Sequence, residues 1–315
     1  MMRHPYPAAV ILVAAFLAPS AMPAHADEAT VPANGTSTPA PMPQSTDSLY
    51  GSNVSEYFQK WFERSDYARA TQPNWMTPIV TVTPRLEQEV RSDQYFEVLG
   101  NGSSVNQYDS GKLLELIPTT TEEILINPPA YMVRNGPKPI SGFGDDPFLI
   151  VKQRLLSANE ENGNCILTVF LGLQAPTGIT AFTANAWEVT PTIAGGKGWG
   201  DFDIQSTLSL AIPTANANVI GDALIWNTTY QYHFLTYFWP EFDTAVTHWY
   251  GGLRDEKTQV FLSAGMLLGR FEIYGRAKAV IGAAYQWAVT PKMTETPVLT
   301  PLYNHAWILS ARMPF

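Results

Sequence analysis

Three segments of this chain alternate apolar and polar residues over lengths that few soluble strands reach. They cover residues 202–212, 224–234 and 273–289, and they are 11, 11 and 17 residues long. Successive side chains of a strand point to opposite faces, so each segment has one apolar and one polar face. Soluble strands usually have about 5–6 residues, whereas a tilted strand needs about 9–11 to cross the hydrocarbon core of a bilayer. The alternation therefore predicts an all-β fold, namely a transmembrane antiparallel up-and-down β-barrel.

Tyrosine and tryptophan concentrate near the ends of the alternating segments, as in the girdles of transmembrane barrels. Composition fits the same fold. Charged residues make up only 15% of the chain, against about 25% in soluble domains, yet the mean hydropathy is only −0.07. Uncharged polar residues have replaced the missing charges. A polar lumen behind a lipid-facing wall would account for both values.

Thirteen segments have the pattern of a strand. Bacterial single-chain barrels have an even number of strands, so two short early segments should form one strand or lie in a loop, and we predict twelve strands. The segments are 76–85, 92–100, 111–118, 121–128, 147–158, 163–174, 180–193, 201–213, 221–236, 241–250, 258–270, 272–290 and 302–315.

The N-terminus has the pattern of a secretory signal peptide. Arg3 precedes an apolar run at residues 8–18, and Ala24-His25-Ala26 is a small-x-small cleavage site. An apolar run of 11 residues is too short for a transmembrane helix, which needs about 20. We therefore expect a cleaved signal peptide at 1–26, a disordered linker at 27–48, a short helical segment at 49–74 and an outer-membrane β-barrel at 75–315.

The sequence predicts one helix of note, at residues 53–62. Asn53 can cap it, and Glu56 lies three residues further on, which is the spacing of a capping box. One side of the helix is apolar and largely aromatic, which leaves two interpretations open: it packs on the barrel, or it forms a plug or lies at the membrane interface. The residues of this stripe are Val54, Tyr57, Phe58, Trp61 and Phe62.

The chain ends on phenylalanine after a further alternating segment. This ending resembles the C-terminal assembly signal of bacterial outer-membrane barrels, which implies the barrel assembly machinery and outer-membrane lipid as partners. The predicted lipid-facing signal residues are Tyr303, Trp307, Leu309, Met313 and Phe315.

Five strings along the predicted barrel resemble one protein family. They are TPIVTVTPRLEQEVRSDQY, GKLLELIP, GGKGWGDFDIQSTLSLAIPT, WNTTYQYHF and YFWPEFD, in this order. From about residue 75 to residue 315, the chain resembles the family named for the meta-pathway of phenol degradation, bacterial outer-membrane β-barrel proteins often called transporters. The resemblance implies a barrel that admits hydrophobic or aromatic compounds, and it brings no catalytic motif.

The polar faces of the predicted strands carry charged residues that would face a lumen. They could form a constriction that orients solutes, or they could pair with one another inside a filled barrel; we favour pairing for most of them. The candidate lumen-lining residues are Lys152, Arg154, Asp203, Gln205, Gln231, His233, Glu241, Asp243, Arg276, Lys278, Gln286 and Arg312.

Several other functions are disfavoured. The net charge of −9 argues against a nucleic-acid partner, which would require a basic surface. The single cysteine, Cys165, excludes a disulfide framework and a cysteine-built zinc site. The acidic pairs at 145–146 and 160–161 lack calcium-loop spacing, so we expect solvated turns, no metal and no cofactor. The glycine-rich string at 195–200 is expected to form a turn.

The sequence thus predicts a passive outer-membrane channel or transporter for small molecules, hydrophobic or aromatic ones among them. A closed structural or adhesive barrel is the alternative, and an exported soluble β-protein is a third. Catalysis is disfavoured because only His233 is expected to point inward and no GxSxG string accompanies it.

Overall fold

The computed structural model describes residues 46–109, 113–290 and 303–315. The predicted signal peptide and the predicted linker up to residue 45 lie outside these residues. No helix in the described part of the chain is long and apolar enough to cross a membrane. The helices are α1 (Val54–Gln59), α2 (Trp61–Ala70) and α3 (Ala217–Ile220). The strands are β1 (Glu89–Val98), β2 (Ser104–Tyr108), β3 (Leu114–Leu116), β4 (Glu122–Ile126), β5 (Tyr131–Asn135), β6 (Ile140–Phe143), β7 (Asp146–Ala158), β8 (Cys165–Ala175), β9 (Glu188–Trp199), β10 (Phe202–Pro213), β11 (Asp222–Tyr232), β12 (Phe238–Tyr250), β13 (Thr258–Tyr274), β14 (Ala277–Thr290) and β15 (His305–Pro314).

The strands form one antiparallel sheet that closes on itself, because β1 pairs with β15 from Glu89↔Pro314 to Val98↔His305. The closed barrel has 12 strands, and 3 further short strands extend it. β3 pairs with the first residues of β1, and β2 pairs with the last five residues of β1. The two short strands therefore lie one after the other along the same edge of β1. The predicted all-β barrel and its strand number are confirmed.

Several predicted boundaries were wrong. Residues 76–85 do not form a strand, because Pro78 and Pro84 lack the N–H that a central strand needs. Residues 180–187 lie in the loop before β9, and the short strands β2, β5 and β6 were missed. The glycine-rich string continues β9 as far as Trp199, and only Gly200 lies in the turn.

Side chains alternate between the outside and the inside of the barrel, as β15 shows. Trp307 is 56% exposed and Leu309 45%, whereas Ile308 and Arg312 are buried. Tyr303 corrects the predicted lipid-facing set: it precedes β15, is buried, and donates its hydroxyl hydrogen bond to Gln286. Counting in twos from the C-terminus fails there because the strand begins only at residue 305.

The two ends of the barrel differ. β9–β10 and β13–β14 are joined at one end by turns of two residues, 200–201 and 275–276, whereas residues 176–187 join β8 to β9 at the other. We call these the short-turn end and the long-loop end. Helices α1 and α2 lie at the short-turn end, where Arg69 of α2 donates hydrogen bonds to the carbonyls of Gln88 and Phe315 at 2.9 and 2.6 Å.

The predicted helix start is confirmed by its hydrogen bonds. The Asn53 Oδ1 accepts a hydrogen bond from the Glu56 N–H at 3.0 Å, and the Glu56 carboxylate accepts one from the Ser52 N–H at 2.7 Å. These bonds from Ser52 lower the pKa of Glu56 and favour its charged form at the helix N-terminus.

The C-terminal residue closes the seam between β15 and β1, and its loss should impair assembly. The Phe315 N–H donates to the Gln88 carbonyl at 3.0 Å. Deleting Phe315 would end the chain on Pro314, which has no N–H to make this bond. We expect a smaller folded fraction, measured as heat-modifiable barrel in membrane extracts, while Phe315→Tyr keeps the backbone bond and folds normally. Normal insertion without Phe315 would contradict this role.

Candidate functional site

Residues 71–88, between α2 and β1, occupy the barrel interior at its short-turn end. We call them the lumen segment. All of its residues except Thr71, Asn74, Val80 and Val82 are buried. The segment enters from α2, turns near residues 79–81 and returns to β1. It was predicted in part as a wall strand, and neither its course nor its position was anticipated.

Side chains of the barrel wall bond the backbone of the entering arm. Arg312 donates to the carbonyls of Thr77 and Pro78, and the Gln205 amide donates to the Met76 carbonyl at 2.9 Å. The Glu241 carboxylate accepts the Ile79 N–H at 3.0 Å. A buried backbone group without a partner costs about as much as a lost hydrogen bond, so the wall supplies the partners that a neighbouring strand would otherwise give.

The returning arm is held in the same way. The Lys152 ammonium donates to the Arg85 carbonyl at 3.2 Å, and the Glu123 carboxylate accepts the Glu87 N–H at 2.6 Å. Lys152 and Glu123 face each other on β7 and β4 and form an ion pair at 2.9 Å. Breaking such a pair by removing one partner costs about 3–5 kcal/mol, because the other charge stays buried.

Two side chains of the lumen segment fit spaces that glycines of the wall leave open. A Cβ atom at Gly196 would lie 2.5 Å from the Trp75 ring, and one at Gly198 would lie 2.7 Å from its indole nitrogen. A Cβ atom at Gly265 or Gly282 would lie 3.2 Å from the Ile79 side chain. The glycines of β9, β13 and β14 therefore shape the wall around this segment.

Nine of the predicted lumen-lining residues are buried inside the barrel: Lys152, Arg154, Asp203, Gln205, Gln231, Glu241, Asp243, Gln286 and Arg312. Arg154 donates to the Ala68 carbonyl of α2 at 2.8 Å, and Gln231 donates to Glu241 at 2.8 Å. His233 is half-buried, and its ring stacks on Trp239 with the centroids 4.2 Å apart.

Two predicted lumen residues lie near the rim. Arg276 is a correction: it is exposed in the turn between β13 and β14, where it forms an ion pair with Asp66 of α2. The predicted alternating segment at 273–289 runs through the end of β13 and the turn, whereas β14 begins only at residue 277. Lys278 lies opposite Glu272 near the same turn and is half-buried.

The interior ion pairs use acids that sequence reasoning missed. Lys152 pairs with Glu123, Arg91 with Asp93 and Arg85 with Glu87, whereas Asp203, Glu241 and Asp243 were expected as the counterparts. A signal was present in the sequence, since β1 places Glu89, Arg91, Asp93 and Glu97 at alternate positions, and all four are buried.

The predicted acidic pairs hold loops. Asp145 accepts the N–H groups of Gly178 and Ala184 at 3.0 and 2.8 Å, which fixes the loop before β9. Glu160 accepts the N–H of Asn74. Within the described ranges, no cluster of three or more His, Cys, Asp or Glu side chains is placed to hold a metal ion.

A cavity of about 240 Å³ lies on the long-loop side of the lumen segment. Hydroxyl and amide groups line one part of it, apolar side chains line another, and Glu188 contributes a carboxylate. Its lining includes Val82, Ile150, Phe170, Thr190, Thr207, Ser209 and Asn227.

The wall defines the class of protein. A closed sheet leaves no strand edge unpaired, so it can cross a bilayer without exposing backbone polar groups to lipid. Large apolar side chains such as Trp226 and Ile281, 50% and 54% exposed, point outward, while charged ones are buried inside. A polar interior behind an apolar outer wall is the arrangement of an outer-membrane type β-barrel.

No protein-family model and no curated protein matches the chain, so the family resemblance of the sequence has no independent support. Among solved structures, the chain is similar to the NanC porin at 8% identity and a TM-score of 0.44, over 72% of this chain and 98% of that chain. An outer-membrane channel from Pseudomonas putida F1 gives 13% identity and a TM-score of 0.44, over 72% and 94%. An anion-selective porin from Comamonas acidovorans is similar at 8% identity and a TM-score of 0.33, over 72% of this chain and 97% of that chain. These scores are low, and the class therefore follows from the strand pairing and the wall.

Two adjacent glycines of β9 allow a test of whether the space at Gly196 is needed for the Trp75 ring. Gly196→Leu should displace Trp75, whereas Gly195→Leu, on the other face of the same strand, should not, because a Cβ there meets only ordinary contacts at 3.4 Å or more. Overpacking costs about 1–3 kcal/mol, which would raise the fraction of molecules with a displaced lumen segment by about 5–150-fold. Trypsin cleavage after Arg85 of the folded barrel measures this population. Equal cleavage of both variants would contradict the fit.

Proposed function

We propose that this protein is a channel of the bacterial outer membrane, reached after export on a cleaved signal peptide, that passes small molecules without catalysis. The observation that carries the proposal is the cavity between the lumen segment and the long-loop end. The cavity has about 240 Å³ of space lined by apolar side chains together with hydroxyl and amide groups, whereas a wall that serves only as a scaffold is more stable when its interior is filled.

The lining supports small amphipathic solutes, including aromatic ones. Phe170, Ile150 and Ile225 offer apolar surface, while Thr207 and Ser209 offer hydroxyl groups. At about 30 Å³ for each water molecule, the cavity holds the volume of about eight waters, which accommodates a single-ring compound. The resemblance of the sequence to the phenol-degradation family agrees with this substrate class.

Passage through the barrel requires the lumen segment to move, or solutes to slip beside it. Its contacts with the wall combine the packing of Trp75 and Ile79 with many hydrogen bonds between polar groups. At its turn, Thr81 bonds Thr229 and Val82 lines the cavity. Incoming water or solute can replace such bonds one at a time. The segment is therefore suited to act as a gate.

The same segment favours the alternative, a closed barrel with a structural or adhesive role. It fills the lumen at the short-turn end with buried residues and ion pairs. The choice between the two functions depends on whether the segment leaves its place.

The described histidines favour a non-enzymatic role. His233 stacks on Trp239, His248 bonds Thr258 through its Nδ1 at 2.7 Å, and His305 is on the outward-facing side of β15. The contact of His248 with the Thr258 hydroxyl lies on the outward-facing side of the wall, away from the cavity.

A disulfide lock tests the gate directly. The Thr81 and Thr229 hydroxyl oxygens lie 2.8 Å apart, so the double variant Thr81→Cys with Thr229→Cys, made with Cys165→Ser, should tie the turn of the segment to β11. We expect oxidation to abolish the uptake of small uncharged aromatic solutes into liposomes and a reductant to restore it. Thr81→Cys alone should not respond to either reagent.

The other outcomes separate the candidate functions. Uptake that persists in the locked barrel would show that solutes pass beside the segment and would exclude gating. Absence of uptake by the wild type and by the reduced variant, with folding verified by heat-modifiable migration, would exclude a channel and favour the closed barrel.

A further inference from the structure

Three apolar side chains of α1 and α2 point away from the barrel, whereas Tyr57 and Trp61 of the same predicted stripe are half-buried and donate hydrogen bonds to Pro118 and Gln88. Val54 is 74% exposed, Phe58 62% and Phe62 43%. Val54 and Phe58 are four residues apart on one side of α1, and Phe62 follows in the first turn of α2, after the break at Lys60 that divides the single predicted helix. The sequence left open whether this stripe packs on the barrel, plugs it or lies at an interface, and its exposure excludes the first two for these three side chains.

The side of the helices that faces the protein buries polar residues beside Tyr57 and Trp61. Arg64 and Ser65 are fully buried, and the Arg64 guanidinium donates to the carbonyls of Leu49, Tyr57 and Pro118 at 2.7 to 3.1 Å. A helix on a soluble protein turns its apolar stripe inward. Here Val54, Phe58 and Phe62 are exposed while Arg64 is buried, which is the arrangement that an apolar surrounding would favour.

The stripe continues the lipid-facing surface of the barrel. The Arg276 guanidinium lies 4.7 Å from the centroid of the Phe62 ring and pairs with Asp66, so α2 is attached to the turn between β13 and β14. β12 begins at Phe238, opposite Leu268, and β13 runs on for six residues to Tyr274. Within this extension Ile273 is 60% exposed and Tyr274 88%. The exposed apolar surface of the wall therefore continues through the end of β13 to the helices.

We propose that the side of α1 and α2 formed by Val54, Phe58 and Phe62 lies in the headgroup region of the leaflet at the short-turn end, as an interfacial anchor. We expect lipid to contact these side chains, because they border a wall that already faces lipid. Lys60 and Glu63 flank it and can remain in the aqueous headgroup layer. Burying apolar area in the bilayer is favourable, so the anchor would hold the entrance of the lumen segment against the membrane.

Spin labels test this placement in the full-length protein reconstituted in liposomes. In a Cys165→Ser background, labels are attached at Phe58→Cys and, as the matched control, at Gln59→Cys, the next exposed residue of the same helix. Ile281→Cys on the outer wall calibrates lipid contact, and Glu161→Cys in the turn after β7 calibrates water contact at the same end. Heat-modifiable migration verifies that each variant is folded.

The label at position 58 should collide with oxygen several-fold more often than with a water-soluble nickel complex, as at position 281. The label at 59 should resemble the one at 161. Free access of the nickel complex to position 58 would show that the stripe faces water. Protection from both reagents would show that protein covers it, and either result would overturn the proposal. The test is independent of transport.

Discussion

The structure depends on one constraint: a backbone that crosses the inside of a barrel must find hydrogen-bond partners away from bulk water. The lumen segment has no neighbouring strand, and it contains prolines at 78 and 84 that could not pair with one fully. The wall meets the need with side chains that point inward. Arg312, Gln205, Glu241, Lys152 and Glu123 bond its carbonyl and N–H groups directly. The four charged residues of this set are therefore explained by the segment before any solute is considered.

This arrangement also limits what the barrel can do. At the short-turn end, charged groups are engaged with the backbone and with one another, so they cannot act as an open constriction while the segment is in place. The space that remains lies towards the long loops, where hydroxyl, amide and apolar side chains meet. In the proposed channel, passage would depend on the balance between the hydrogen bonds that retain the segment and those that solvent or solute would form with the same groups. Glycines at 196 and 198 favour retention, because they admit the Trp75 ring.

The sequence predicted the barrel wall correctly but not the segment that the wall encloses. Alternation over long segments predicted the barrel because lipid and lumen select opposite residue types, and nine buried polar residues could be named from it. The lumen segment was not predicted because residues 76–85 also alternate. An extended peptide that is hydrogen-bonded by wall side chains can have the same sequence pattern as a strand. Arg276 and Tyr303 were misplaced because periodicity does not show where a strand ends. The pairing of Lys152 with Glu123 joins residues 29 positions apart, and no local pattern indicates it.

Hydrogen–deuterium exchange of the protein in membranes tests most directly whether the wall holds the backbone of the lumen segment. The amides of Ile79 and Glu87 are bonded only to wall carboxylates, Glu241 and Glu123, among the contacts described here. They should exchange as slowly as the amides of β10, and Glu241→Leu and Glu123→Leu, which remove the two acceptors, should speed exchange in the segment with little effect on β10. Exchange of the segment at the rate of the exposed turn at residues 101–102 in the unmodified protein would contradict the account.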